Sequence, residues 1–199
     1  MVEAATKRRW TKEDFFAWLD EGHGGDYRWE LVDGGPKAIT YGEPPHMMAN
    51  PSVEHGIVVG NLSRMLGNLL RGGPCRPFTG DYATETFDNQ LRLPDVLVDC
   101  GDRRRGERSA RSPTVVLEVL SPSTRGTDTF AKLEEYKRVE TIGNIVIMEP
   151  LVPDIAVWTR EGDGWAYARI TDPDASLELS ALGVSLPLAE IYEDVPRAE

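Results

Sequence analysis

Thr114-Val-Val-Leu-Glu-Val-Leu-Ser-Pro-Ser-Thr124 is the stretch on which the reading of this chain turns. Its density of Val and Leu predicts a strand from Pro113 to Leu120, and the apolar neighbours on both sides of Glu118 predict that both sheet faces are covered. An ionised carboxylate is costly there unless it is paired, protonated or bound to a cation. A salt bridge to an arginine is one solution and a metal ion is another. The turn Ser121-Pro-Ser-Thr-Arg-Gly126 leads into a second element. From Thr127 to Val139, Phe130, Leu133 and Tyr136 or Lys137 recur at helical spacing, with Asp128 near the start, so a helix carries Lys132 just downstream of Glu118.

Upstream, Leu91 to Cys100 reads as another buried strand neighbouring the first, with Pro94-Asp95 opening the run Val96-Leu97-Val98. Asp95 then stands at a strand start, where Pro-Asp is also an ordinary turn signal. If the two strands pair, Asp95 and Glu118 converge. Two carboxylates are the protein share that magnesium commonly takes, the remaining positions going to water and phosphate oxygens. Lys132 would complete such a site by orienting water and balancing negative charge on a phosphate. Alternatively it is a solvated helix lysine paired with Glu135 or Asp128.

Further out, Thr11-Lys-Glu-Asp14 caps a short helix bearing Phe15, Phe16, Trp18 and Leu19. Tyr27 to Val32, Asp33-Gly34-Gly35 and Pro36 to Thr40 form a hairpin. A loop from Tyr41 to Pro51 precedes a long core helix with Ile57, Val58, Leu62, Met65, Leu66, Leu69 and Leu70 on its apolar positions, closed by Gly72-Gly73. Asn144 to Met148 is a strand, and Asp154 to Thr159 with Trp165 to Ile170 make a hairpin around Glu161-Gly-Asp-Gly164. The order is helix, strands, helix, strands, helix, strands, with no repeat or linker, so 1–199 reads as a single domain of ordinary size.

Hydrophobic residues at 40% and charged residues at 28% are a globular composition. No apolar run approaches the roughly 20 residues that span a bilayer. Lys7, Arg8 and Arg9 are not followed by an apolar secretory core, and the cytoplasm is the expected location. Cys75 and Cys100 have neither Cys-x-x-Cys nor zinc spacing, so no zinc site or disulfide framework is expected. Phosphate-loop, dinucleotide and nucleophile-elbow motifs are absent. The net charge of −11 weighs against a nucleic-acid partner, but the charge is uneven. Arg103, Arg104, Arg105, Arg108 and Arg111 cluster between the two strands, as a candidate contact for a phosphate backbone or simply a solvated loop, while the tail from Thr171 holds seven acidic residues.

Pro94-Asp95, Val116-Leu-Glu-Val-Leu-Ser-Pro-Ser-Thr124, Asp128, Lys132-Leu133 and Tyr136 together resemble the Uma-two family of restriction-endonuclease-like proteins. Trp29-Glu-Leu-Val-Asp-Gly34 is similar to that family's early strand and turn, and Pro51-Ser-Val-Glu-His55 to the start of its first long helix. The resemblance implies an α/β (α+β) restriction-endonuclease-like core: a central mixed sheet flanked by helices, with added hairpins. It implies hydrolysis of DNA with magnesium or manganese at Asp95, Glu118 and the Val119 carbonyl, Lys132 as the catalytic lysine, and Glu30 as an additional acid. Glu30 could equally be a strand-edge charge answering Arg28 or Lys37. The wider superfamily places its lysine two residues after the glutamate, where this chain has Leu120, so Lys132 must substitute from the helix. Downstream, Asn144-Ile-Val-Ile-Met-Glu-Pro150 departs from the family's aromatic-rich strand and Asp-Pro ending. His55 reads mainly as a capping or core-boundary residue, and Tyr136 as core bordering the site. Ser121, Ser123 and Thr124 read as phosphate contacts or helix caps. Cutting two antiparallel strands suits a homodimer. A nuclease fold that binds nucleic acid or protein without cutting is the alternative function.

Overall fold

The computed structural model describes residues 9–39, 52–87, 89–121 and 127–196. The expected loop over Tyr41 to Pro51, together with Ser123 and Thr124, lies outside them. Helix α1 (Lys12–Asp20) starts where the sequence places it: Thr11 Oγ1 accepts from the Asp14 backbone N–H, and Asp14 answers by accepting from the Thr11 N–H. Strands β1 (Trp29–Val32) and β2 (Gly35–Ala38) form the first hairpin. Its two turn residues, Asp33 and Gly34, both have positive φ, 52° and 78°. Asp tolerates that region and Gly occupies it freely, which is why Asp-Gly closes a two-residue hairpin whose twist matches the strands. Helix α2 (Val53–Leu69) is capped by Ser52 and buries Val58, Leu62, Met65 and Leu66 along one stripe.

The remaining elements are β3 (Arg76–Thr79), β4 (Thr84–Phe87), β5 (Gln90–Arg92), β6 (Val96–Asp99), β7 (Pro113–Val119), α3 (Thr127–Lys137), β8 (Asn144–Met148), β9 (Ile155–Glu161), β10 (Gly164–Ile170), β11 (Ser176–Leu179), β12 (Val184–Pro187) and α4 (Leu188–Ile191). A six-stranded sheet runs β10-β9-β8-β7-β6-β3. Only β7 and β8 are parallel within it, joined through α3 as a crossover, so the sheet is mixed as expected. A four-stranded antiparallel sheet, β2-β1-β5-β4, packs with α1, and β11 pairs with β12.

Alternation along β7 divides the core. Val115, Leu117 and Val119 face α2, α4 and the β11–β12 pair, while Val116 faces α3 with Leu133, Tyr136 and Ile145. Two expectations need correction. The run from Leu91 to Cys100 is two strands in two sheets, broken at Leu93-Pro94-Asp95, because Pro94 has no N–H for a ladder and the chain crosses there from one sheet to the other. In addition, the two cysteines are joined: Cys75 and Cys100 form a disulfide with their Cα atoms 3.9 Å apart. They extend the antiparallel β3–β6 register by one position beyond Arg76↔Asp99, and that pairing across 25 residues of chain has no local sequence signature. No described helix is long and apolar enough to cross a membrane.

Candidate active site

The β6–β7 register pairs Val96 with Leu117, so the next position along places Asp95 opposite Glu118. Asp95 sits just outside β6 after Pro94, and its Oδ2 accepts a 2.8 Å hydrogen bond from the Val119 backbone N–H. Glu118 lies on the α3 face of β7, where α3 supplies two partners one turn apart. The Tyr136 hydroxyl donates to Glu118 Oε1 at 2.7 Å, and Lys132 Nζ lies 3.3 Å from Oε1 and 3.5 Å from Oε2. Lys132 is therefore buried at the sheet and not a solvated helix lysine.

Glu30, from β1 of the second sheet, completes the enclosure, with Oε1 3.3 Å from Lys132 Nζ. The same Oε1 accepts from the Leu93 N–H at 3.0 Å, and Oε2 accepts from Arg92 Nη1 at 2.9 Å. Arg92, a fully buried side chain, also grips Glu135 through Nε at 2.7 Å and Nη2 at 2.5 Å, and Thr86 Oγ1 donates to Glu135 at 3.1 Å. One buried chain of charge thus runs Glu135–Arg92–Glu30–Lys132–Glu118, with Asp95 across the strand pair and His55 Nε2 3.3 Å from Asp95 Oδ2.

Burial pushes the Glu118 carboxyl up to about 7; Lys132 pulls it down, Asp95 and Glu30 push it further up, and the Tyr136 hydrogen bond favours the charged form. Tyr136 is itself driven well above its ordinary range by burial and by the Glu118 charge. Glu135 is held low despite burial, because two Arg92 hydrogen bonds and its charge outweigh desolvation. Among the described residues four acids (Glu30, Asp95, Glu118, Glu135) face two cations (Arg92, Lys132), an excess of one negative charge with Glu118 protonated and two with it ionised.

That excess beside a desolvated carboxylate fits a divalent cation. Among the described residues no three His, Cys, Asp or Glu side chains close on one point, so an all-protein cage is not formed. An oxygen site of one or two carboxylates completed by water is what magnesium or manganese needs, and Asp95 and Glu118 can supply it, with Val119 at the adjacent strand end.

The structure brings together Asp95, Glu118, Lys132 and Glu30. Glu30 is no strand-edge charge: it is 3% exposed and its partners are Arg92 and Lys132, not Arg28 or Lys37. Arg103, Arg104 and Arg105 are exposed, and they stand apart from the carboxylates. Their loop joins Asp99 to Pro113, the far ends of β6 and β7, about 13 Å along the strands from Asp95 at ~3.3 Å per residue. Arg103 Nη1 there donates to the Pro74 carbonyl at 2.8 Å. Ser121 is buried beyond the end of β7. Sequence reasoning passes over Arg92 and names Glu135 only as a surface partner for Lys132. Arg92 carries the signal that marks Glu118, a charge between apolar neighbours Leu91 and Leu93; Glu135 looks like any helix-surface acid.

The sequence matches the family described as Uma2, "Putative restriction endonuclease", over residues 13–189. Two proteins of Synechocystis sp. are similar: the uncharacterized slr1290, 29% identical over 150 residues covering 74% of this chain and 78% of the relative, and sll1609, 22% identical over 151 residues covering 69% and 80%. The fold is shared with a crystal structure from Anabaena variabilis titled as a "putative nuclease belonging to DUF820", at TM-score 0.63 and 17% identity over 87% of this chain and 96% of the other. With the match covering most of its length, the chain belongs to the Uma2 family, described as putative restriction endonucleases, and it shares its fold with the Anabaena variabilis protein.

Proposed function

We propose that this protein is a metal-dependent nuclease that hydrolyses phosphodiester bonds in DNA, with Asp95, Glu118 and the Val119 carbonyl as ligands of a magnesium or manganese ion. The observation that carries the reading is the burial of the Lys132 ammonium between Glu118 and Glu30, beside a carboxylate pair with excess negative charge. A purely structural ion pair would need one acid for one base; here four acids share two bases, and burial makes Glu118 hold its proton up to about 7 unless a further cation answers its charge.

A divalent cation would supply Lewis-acid charge on the phosphate and an acidified water. The chain's own residues do the rest. Glu118 on β7 and Asp95 just before β6 would hold the ion, and the Val119 N–H fixes the Asp95 rotamer. Lys132, held by Glu30 and Glu118, points an ammonium donor at the same carboxylate, where it can orient water and balance charge on the phosphate. Arg92 positions Glu30 through Nη1 and so acts on Lys132 indirectly. Water adds to phosphorus, one P–O ester bond breaks, and the products are a phosphate monoester and an alcohol. A homodimer would place two such sites on opposite strands. Arg103, Arg104 and Arg105 belong to the reading only as a remote backbone contact.

The net charge of −11 favours the other reading, a nuclease fold that binds without cutting. Purified protein incubated with supercoiled, linear and single-stranded DNA in magnesium, manganese or EDTA separates the two. Metal-dependent cleavage lost in Asp95→Ala and Glu118→Ala supports the enzyme. Cleavage that persists in both variants, or no cleavage alongside DNA binding, rejects it.

A further inference from the structure

We infer that the β10 edge of the six-stranded sheet is an interface on which a second copy of this chain pairs its own β10, antiparallel, across a twofold axis. It is the contact surface for the homodimer of the proposed function and rests on that part of the reading, not on its chemistry. Four strands border the two larger sheets: β2, β4, β3 and β10. Three of them are guarded against a further strand. β3 contains Pro77 and packs against α2, β2 contains Pro36 and Lys37, and the β4 ladder is broken between Glu85 and Phe87. β10 has none of these guards. Its seven residues, Gly164 to Ile170, run in unbroken register with β9, contain no proline, and carry one charge, Arg169.

The hairpin fixes which backbone groups lie open. Gly162, at φ 57°, and Asp163 form a two-residue turn, with Glu161 paired to Gly164 directly behind it. The pair flanking such a turn exchanges its hydrogen bonds, and the exchange repeats at every second residue. Gly164, Ala166, Ala168 and Ile170 therefore bond to β9, while the N–H and C=O of Trp165, Tyr167 and Arg169 point outward. Among the described residues, no other backbone group answers these three. A twofold axis through Tyr167 sets Tyr167 opposite its counterpart and Trp165 opposite Arg169 of the second copy, so all three outward residues pair within the strand. The chain carries −11 overall, yet this strand holds no acid, so two copies meet here without setting acid against acid, and each Arg169 faces an indole instead of the other Arg169. Tyr167, 59% exposed with its ring 5.2 Å from that of Trp158, gives the contact an apolar centre. At ~4.8 Å per strand, the two copies of β7 would stand about 34 Å apart along the joined sheet, so each candidate site meets its own phosphodiester.

The test is sedimentation of the full chain over about 1–100 μM, joined to residue-resolved amide hydrogen exchange. One strand pair is a small interface, at or below about 1,200 Å2, so a dissociation constant in about the micromolar range is expected. In the dimer the Trp165, Tyr167 and Arg169 amides should exchange slowly and should lose that protection on dilution to monomer, whereas Ala166 and Ala168 stay protected by β9 at both concentrations. Tyr167→Lys sets two ammonium groups opposite each other and gives the edge the guard it lacks, so dimerisation should weaken at least about tenfold. A dimer in which the Trp165, Tyr167 and Arg169 amides exchange freely, or one that Tyr167→Lys leaves intact, overturns the inference and moves the homodimer to another surface. A parent that stays monomeric throughout overturns this interface and the homodimer together, and leaves metal-dependent cleavage to its own assay. The parent's exchange pattern decides the matter even if Tyr167→Lys is unstable.

Discussion

Replacing Glu118 by glutamine should stabilise the metal-free protein at alkaline pH, contrary to the usual effect of removing a buried salt-bridge partner. Glutamine reproduces the neutral carboxyl in shape, keeps an oxygen for the Tyr136 hydroxyl, and leaves Lys132 with Glu30. The folded protein holds the Glu118 proton up to about pH 7, against an ordinary value of 4.5. Because the proton binds more tightly in the folded state, its stabilising contribution is complete below 4.5 and is lost as pH rises through about 7. At 1.36 kcal/mol per pH unit, that gap makes the ionised side chain cost about 3 kcal/mol at pH 8. Urea unfolding of parent and Glu118→Gln in EDTA should therefore coincide near pH 4.5 and diverge by about 3 kcal/mol in favour of the variant by pH 8. Saturating Mn2+ should close the gap by stabilising only the parent. A variant less stable than the parent at pH 8 in EDTA would show that Lys132 fully compensates the buried charge, and the argument for a cation at Glu118 would fail.

Lys132→Met strands Glu118 and Glu30 without their shared cation, and should cost about 3–5 kcal/mol in urea unfolding at pH 8 as well as abolishing any metal-dependent cleavage. Arg92→Met leaves Glu135 without its cation and Glu30 with Lys132 alone, and should bring a similar loss of about 3–5 kcal/mol; a cost under about 1 would mean the network is solvated in solution. Reducing the Cys75–Cys100 bridge, which closes 25 residues, should lower stability by about 3 kcal/mol without altering the far-ultraviolet spectrum, and thiol titration of the unreduced, unfolded chain should find no free cysteine. Arg103→Ala/Arg104→Ala/Arg105→Ala should weaken DNA binding and flatten its salt dependence by up to about 0.9 per lost phosphate contact; unchanged binding would remove this loop, at the far end of β6 and β7, from the interface.

Local chemistry made most elements legible. Thr11 with Asp14 marks a helix start, Asp33-Gly34 a hairpin and Val115 to Val119 a doubly covered strand, because capping, positive φ and burial are properties of a few adjacent residues. The strand break at Pro94 was less legible, since apolar residues flank it on both sides and only the sheet assignment shows that Arg92 and Val96 serve different sheets. Strands β3, β4, β11 and β12 and helix α4 had weaker signals. Pro77 is tolerated in β3 because that strand is an edge, and the acidic count of the tail masks the alternation of the buried Leu177 and Leu179, which lie opposite Leu186 and Val184.

The sequence by itself determined that Glu118 is a buried acid in need of a partner, because its apolar neighbours are covalently adjacent. It also marked Asp95 and Lys132 through a pattern of residue types. Only the tertiary structure decided who the partners are: Lys132 and Tyr136 from the next helix, Glu30 and Arg92 from a second sheet, and His55 turned toward Asp95. Tertiary structure likewise sent the arginine loop to the opposite end of the strands and set Cys75 against Cys100. The physical reason is the same in each case. Desolvation can be read from residues next to one another in the chain, but the charges that answer it come from residues 14 to 102 positions apart in pairs such as Glu118–Lys132 and Glu30–Lys132, whose meeting depends on strand register and sheet packing.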